Sequence, residues 1–319
     1  MSQAILQAIK RHKTFLISTH VNPDPDALAS ELALALYLRR LGKRVSIING
    51  DQCPARYSFL PKSHLIQSYR SRRHRDYEVA IILDCGDLGR IGPVGKLLRE
   101  ERLLVNLDHH LTNDNFGDLN LVVPKASSTT EVLFDLLKQA RAALTKEIAQ
   151  LLYVGIMTDT GSFRYDTTSA HTHRVVAELM RFGFSVSDLY RRIYEGLTFR
   201  DFKLFTKVIN LFESFYQGRV VSLELSRRVA EKFSQEFDLK DKIFSFLRAI
   251  KGVEVIIIYA PGEKNQTRVN FRSQGERVNV AELAFAFGGG GHRKASGCII
   301  EGTIIQAKRL VMRKLREML

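Results

Sequence analysis

The chain has 319 residues, 45% hydrophobic and 26% charged, with a formal net charge of +14. That length suits two ordinary domains with a core each, and the composition excludes a disordered chain. No apolar run is long enough to span a membrane, and charges follow too closely on the first apolar residues for a secretory signal, so a cytoplasmic protein with no membrane partner is expected.

In chain order, TFLIST (14–19) is a short β-branched strand run followed by a helix from about Ala27 to Leu41. RVSIIN (44–49), EVAIILD (78–84) and LLVNLD (103–108) are further buried-strand runs, and NLVV reads as an edge strand. Strand and helix in alternation predict an α/β domain with a mostly parallel sheet flanked by helices. From Ser127 to about Phe215 the apolar spacing turns helical,. Strands return with RVVSLEL, VEVIIIYA and TRVNFRS, and helices are expected around 226–250, 278–286 and 303–317. The division predicted is a catalytic domain over 1–190, a helical linker over 191–215 and a smaller α/β domain over 216–319, with the active-site cleft between the two domains,.

The acids and imidazoles fall where chemistry is expected. His20, Asp24 and Asp26 directly follow the first strand, Asp84 ends the 78–84 run, and Asp108, His109 and His110 end the next. In open parallel sheets ligand groups gather beyond the carboxyl ends of strands, so three segments deliver these side chains to one edge. Asp159, at the end of an apolar helix, can close the site from the side. One Asp after a strand is usually a turn or cap residue, and Asp26 alone could be a helix N-cap; eight such coincidences make a shared metal site the better reading. Mixed imidazole and carboxylate donors suit Mn²⁺, Zn²⁺ or Fe²⁺, and five carboxylates need two cations, the arrangement used for phosphoryl hydrolysis. The cysteines Cys53, Cys85 and Cys298 form no CxxC pair and suit a reducing compartment,. The basic excess favours a polyanionic partner.

These residues resemble the DHH phosphoesterase family: HVNPDPDALAS its first motif, DCGD its second, DHH its naming motif, MTDTGSFRY its fourth. FRS (271–273) and GGGGHRKASG (288–297) resemble the DHH-associated C-terminal domain. The compact two-domain form is similar to NrnA-type oligoribonucleases (nanoRNases). The resemblance implies one metal on His20, Asp24 and Asp84, and a second on Asp26, Asp84, His109 and Asp159, with Asp84 the bridge and both ions Mn²⁺ by expectation. It implies catalytic roles for Asp84, for His110 at the scissile phosphate or leaving group, and for Asp108 in orienting the histidines.

Glycines before His292, Arg293 and Lys294 let backbone N–H groups approach phosphate, so Gly289, Gly290, Gly291, His292 and Arg293 are candidate substrate contacts. Arg272 offers a guanidinium for phosphate or base, Ser273 completes the FRS segment, and Arg164 is expected to reach phosphates from the first domain. Phe271 is expected inside, while His171 and His173 read as helix-start residues with no catalytic part. The activity implied is hydrolysis of short single-stranded RNA, of about two to five nucleotides, to monophosphates, with removal of the 3′-phosphate of adenosine 3′,5′-bisphosphate as a second activity. The alternatives are hydrolysis of cyclic or linear dinucleotides (pApA, pGpG) and, remotely, non-catalytic RNA binding. A homodimer is left open.

Overall fold

Every residue of VAIIL (Val79–Leu83) is buried, and a strand buried on both faces belongs inside a parallel sheet. The computed structural model describes residues 1–70, 76–233, 239–263, 265–275 and 277–319. It divides into two units, Met1–Glu195 and Gly196–Leu319.

In the first unit, helix α1 (Ser2–Arg11) precedes β1 (Thr14–Ser18), α2 (Pro25–Arg40), β2 (Arg44–Asn49), β3 (Ile66–Ser68), β4 (Val79–Leu83), β5 (Leu103–Asp108) and β6 (Leu119–Val122). Helices α3 (Thr129–Gln139), α4 (Lys146–Asp159), α5 (Ala170–Met180) and α6 (Val186–Tyr194) complete it. The strand order is β3-β2-β1-β4-β5-β6, and every pairing is parallel. The chain lays strands outward on one side of β1 and then on the other, so the topological switch lies between β1 and β4. Side chains alternate across the pleat. Phe15, Ile17, Ile81 and Leu107 share a core with Leu28, Leu32, Leu133 and Leu152 of α2, α3 and α4. On the opposite face Leu16, Ala80 and Ile82 pack against Ile91 and Val94, from a segment of 3-10 turns over Leu88–Leu97. The helix expected from Ala27 starts at Pro25, because Asp24 caps it by accepting from the Ala27 N–H at 3.0 Å,.

The second unit begins with α7 (Phe199–Ile209), β7 (Glu213–Phe215), β8 (Val220–Glu224), α8 (Arg227–Ala230), α9 (Leu239–Leu247) and β9 (Val255–Pro261). It continues with β10 (Gln266–Ser273), α10 (Val280–Phe285), β11 (Gly290–His292), β12 (Ala295–Glu301) and α11 (Ile304–Arg316). Its sheet order is β11-β12-β10-β9-β8-β7, mixed because β8 and β9 are parallel while the other pairs are antiparallel. One face packs on α7 and α9 through Phe205, Val208, Ile243 and Phe244; the other packs on α10 and α11 through Leu283, Val311 and Leu315. Helix α7 therefore belongs to this unit's core.

Candidate metal and phosphoester site

The C-terminal ends of β1, β4 and β5 bring His20, Asp84 and the Asp108–His110 tripeptide together, on either side of the topological switch,. Asp84 is the hub. Its carboxylate lies 3.6 Å from His20 Nε2, 3.7 Å from His109 Nε2 and 3.7 Å from His110 Nδ1, and it accepts a 2.9 Å hydrogen bond from the Thr129 hydroxyl. Its backbone sits at φ 54°, the left-handed region that costs a non-glycine residue energy and persists where surroundings over-determine it.

Asp26, in the first turn of α2, is buried against the start of α3. It accepts from the Thr129 N–H at 2.7 Å, the Thr130 N–H at 3.1 Å and the Thr130 hydroxyl at 2.6 Å. Helix α3 thus turns its positive end on Asp26. The close approach extends to α4: a Cβ on Gly155 would meet Asp26 Oδ1 and Thr130 Oγ1 at 2.4 Å each. One helical turn on, Asp159 Oδ2 stands 3.2 Å from His109 Nε2.

The imidazoles are held by their other nitrogens. His20 Nδ1 is 2.8 Å from the Val21 carbonyl and His109 Nδ1 3.4 Å from the Ala126 carbonyl, which leaves Nε2 of each facing the acids. Asp108, fully buried, accepts from the His109 N–H at 2.8 Å, from His110 Nδ1 at 2.6 Å and from Asn113 Nδ2 at 2.6 Å. Its oxygens serve the protein.

Three donor groups result: His20 with Asp24 and Asp84; Asp26 with His109 and Asp159; and Asp84 with Asp108, His109 and His110. Within each, one donor atom per residue lies within 4.8 Å of the others. Ligands about 2.0–2.2 Å from one transition-metal ion must themselves lie within roughly 4.4 Å of one another, so all three groups approach the spacing of ion sites; with the Asp108 oxygens taken up by protein donors, the first two are the candidates. The electrostatics agree. Burial and the neighbouring Asp84 push Asp26 up to about 7, and burial with Asp26, Asp24 and Asp84 raises Asp159 well above the carboxylate range. Burial opposes protonation of His20, but Asp84 and Asp24 outweigh it and hold its pKa near 9. Carboxylates crowded this closely call for positive charge, and the cluster can hold metal ions.

The other candidates belong to other segments. Arg164, exposed in the turn after α4, donates from Nε to the Gly161 carbonyl at 2.6 Å, in a turn whose Gly161, Ser162 and Phe163 are all left-handed. In the second unit, Phe271 is fully buried, whereas Arg272 lies over the Phe244 ring at 4.7 Å. The Ser273 hydroxyl donates to the Arg293 carbonyl at 3.1 Å, so Ser273 pins the turn carrying exposed Arg293. The glycine run includes edge strand β11 paired with β12. Side chains would collide with β12 at Gly289, 2.2 Å from the Gly297 carbonyl, and at Gly291, 2.6 Å from the Ala295 carbonyl; Gly290 faces open space. The His292 side chain lies outside the described residues. His171 pairs with Asp135 at 2.9 Å and His173 packs on Phe163. Sequence reasoning missed Thr129, Thr130 and Gly155; the SSTT run before an apolar helix was the available signal for the first two,.

Residues 14–156 match the DHH family, N-terminal domain, and residues 230–318 the DHHA1 domain. The bifunctional oligoribonuclease and PAP phosphatase NrnA of Thermus thermophilus is 32% identical over 308 residues, 94% of this chain and 89% of the relative. The chain belongs to the DHH family. Another DHH-family relative, the bifunctional oligoribonuclease and PAP phosphatase NrnA of Bacillus subtilis, is 29% identical over 307 residues, 94% of this chain and 93% of the relative. Among solved structures, an exopolyphosphatase-related protein from Bacteroides fragilis superposes with a TM-score of 0.88 at 25% identity, covering 99% of this chain and 95% of that one. The DHH assignment makes this chain a hydrolase of phosphoester bonds.

Proposed function

We propose that this chain hydrolyses short oligoribonucleotides, of about two to five nucleotides, to nucleoside monophosphates, and removes the 3′-phosphate of adenosine 3′,5′-bisphosphate. The observation that carries the reading is the meeting of two carboxylate–imidazole groups at Asp84. The relatives named as bifunctional oligoribonucleases and PAP phosphatases, matched over most of both chains, support the substrate class.

In this proposal His20, Asp24 and Asp84 hold one divalent cation, and Asp26, Asp84, His109 and Asp159 hold the other, both Mn²⁺. Such a pair lowers the pKa of bound water and balances charge on phosphoryl oxygens. The protein's own share is orientation. Asp108 fixes the His110 ring through Nδ1, which leaves Nε2 to contact the scissile phosphate or give a proton to the leaving oxygen. Thr129 and the start of α3 hold Asp84 and Asp26 at fixed angles. Arg164, Arg272, Arg293, His292, Ser273 and the backbone of Gly289–Gly291 take the substrate's phosphates and bases, as contacts or as supports of the contacting loop. Catalysis then rests on positioning and charge stabilisation. Three free thiols suit the reducing cytoplasm, where the proposal places the enzyme.

The test is a panel of di- to pentaribonucleotides, pApA, pGpG, cyclic di-AMP and adenosine bisphosphate, each run with Mn²⁺, Mg²⁺ and Zn²⁺. Short RNA and the bisphosphate should be turned over fastest with Mn²⁺. Turnover of cyclic di-AMP alone would sink the reading.

A further inference from the structure

The second unit carries a cleft that the functions above do not use. About 450 Å³ in volume, it is lined by Phe199, Arg200, Lys203, Leu204 and Lys232. The first four fall at positions i, i+1, i+4 and i+5 of α7, one face of a helix, and Lys232 follows α8. Leu204 rests on the core as the floor. Phe199 stands at the rim with 83% of its surface exposed, where water makes no use of an aromatic ring.

Among the described residues that line the cleft, the charge is one-sided. The sole acid of α7, Asp201, is buried, and its carboxylate accepts from the Thr198 hydroxyl at 2.7 Å within the helix cap. Arg200, Lys203 and Lys232 are exposed, and no ion pair joins any of them to a carboxylate among the described residues. An exposed ring ringed by unneutralised cations matches single-stranded nucleic acid, which offers a base face and phosphates together. A protein segment would need acids and an apolar side chain together at this spacing to use both.

The cleft also has a neighbour. Arg272 pairs in register with Ile256, and Ile256 belongs to the core beneath α7 and α9. Arg272 covers Phe244 of α9, and Phe246 of the same helix meets Phe205 of α7 edge-on at 5.8 Å. Arg272 and the cleft therefore share one face of the second sheet.

We propose that this cleft is a distal subsite for single-stranded RNA, in which Phe199 stacks on a base and Arg200, Lys203 and Lys232 hold adjacent phosphates of a strand extending past Arg272. The proposal deepens the oligoribonuclease reading and rests on it for the substrate class. Its consequence is length discrimination: a pentamer has bases and phosphates enough to occupy Arg272 and the cleft together, and a dinucleotide has too few.

The test uses the full chain and a fluorescent, hydrolysis-resistant phosphorothioate pentaribonucleotide, with affinity read by anisotropy across a salt series. Phe199→Ala should weaken binding about tenfold. Lys203→Glu should weaken it comparably and flatten the salt dependence. Dinucleotide turnover should stay at the wild-type level in both. Pentamer affinity within twofold of wild type in both variants overturns the proposal, as does a parallel fall in dinucleotide turnover. So does loss of a dimer on sedimentation of Phe199→Ala without loss of RNA affinity, which would assign the face to a second copy. If the wild type binds the pentamer through Phe199 yet cleaves no RNA, the activity reading fails while the cleft stands.

Discussion

Asp84 holds its position against two penalties, a left-handed backbone and burial among other acids. The hydrogen bond from Thr129 and the three imidazoles around it offset the second, and the bond from its own N–H to the Leu107 carbonyl at 3.0 Å holds the backbone in the first. Asp84→Ala is expected to cut phosphodiester hydrolysis at least about a hundredfold. Asp84→Gly should lose hydrolysis equally yet be more stable than Asp84→Ala by about 1 kcal/mol, because glycine adopts φ near 54° freely,. Turnover assays and denaturant midpoints of the two variants check this together. Equal stability would mean that the loop relaxes when the carboxylate is removed. His20, Asp84 and Asp108 were legible in the sequence because each ends an apolar run. Thr129 and Thr130 were not, because the same letters serve any helix cap, and only folding shows that their donors turn outward onto Asp26. Ser273 is the converse: beside Arg272 it reads as a contact, but β10 alternates and puts it inside.

At the scale of elements, α2, α3 and α4 meet at a point where no Cβ fits. Gly155→Ala should gain up to about 1 kcal/mol of helix propensity but lose roughly 1–3 kcal/mol to overpacking against Asp26 and Thr130. A lowered thermal midpoint with impaired turnover is the expected outcome; a stabilised, active variant would show that α4 can shift. The start of β1 has its own anchor. Glu78 accepts from the Lys13 N–H at 2.7 Å, the Thr14 N–H at 2.9 Å and the Thr14 hydroxyl at 3.0 Å. The backbone bond from Lys13 first, then those from Thr14, lower its pKa from 4.5 to about 2. A depressed folded pKa gives stability that is complete above pH 4.5 and is lost as pH falls towards 2. Glu78→Gln should therefore flatten the acid limb of a stability–pH curve in that window and change little at pH 7 beyond a constant offset. Most long strands were readable from apolar runs, but β12 was not, because its ASGCIIE sequence opens on small residues around a glycine. β3, β7 and β11, three residues each, were not, since so short a strand has no period to detect and exists only by pairing with a neighbour.

For the whole molecule, the two units have separate cores, and every residue of the two ion-spaced groups belongs to the first. Divalent metal should stabilise by mass action, by about 2.7 kcal/mol at a concentration a hundredfold above Kd. Hydrogen exchange with and without Mn²⁺ should show the added protection at the ends of β1, β4 and β5 and in α4, and little in β9–β12. Uniform protection of both units would contradict a centre confined to one. The order of the units along the chain has a temporal meaning. Domains fold from the N-terminus as they leave the ribosome, and the last of the eight clustered acids and histidines is residue 159 of 319. A nascent chain can thus assemble this cluster while the half bearing Arg272 and the α7 cleft is still being translated. Molecules released early by premature termination would carry the clustered acids and histidines without the face proposed to grip a longer strand.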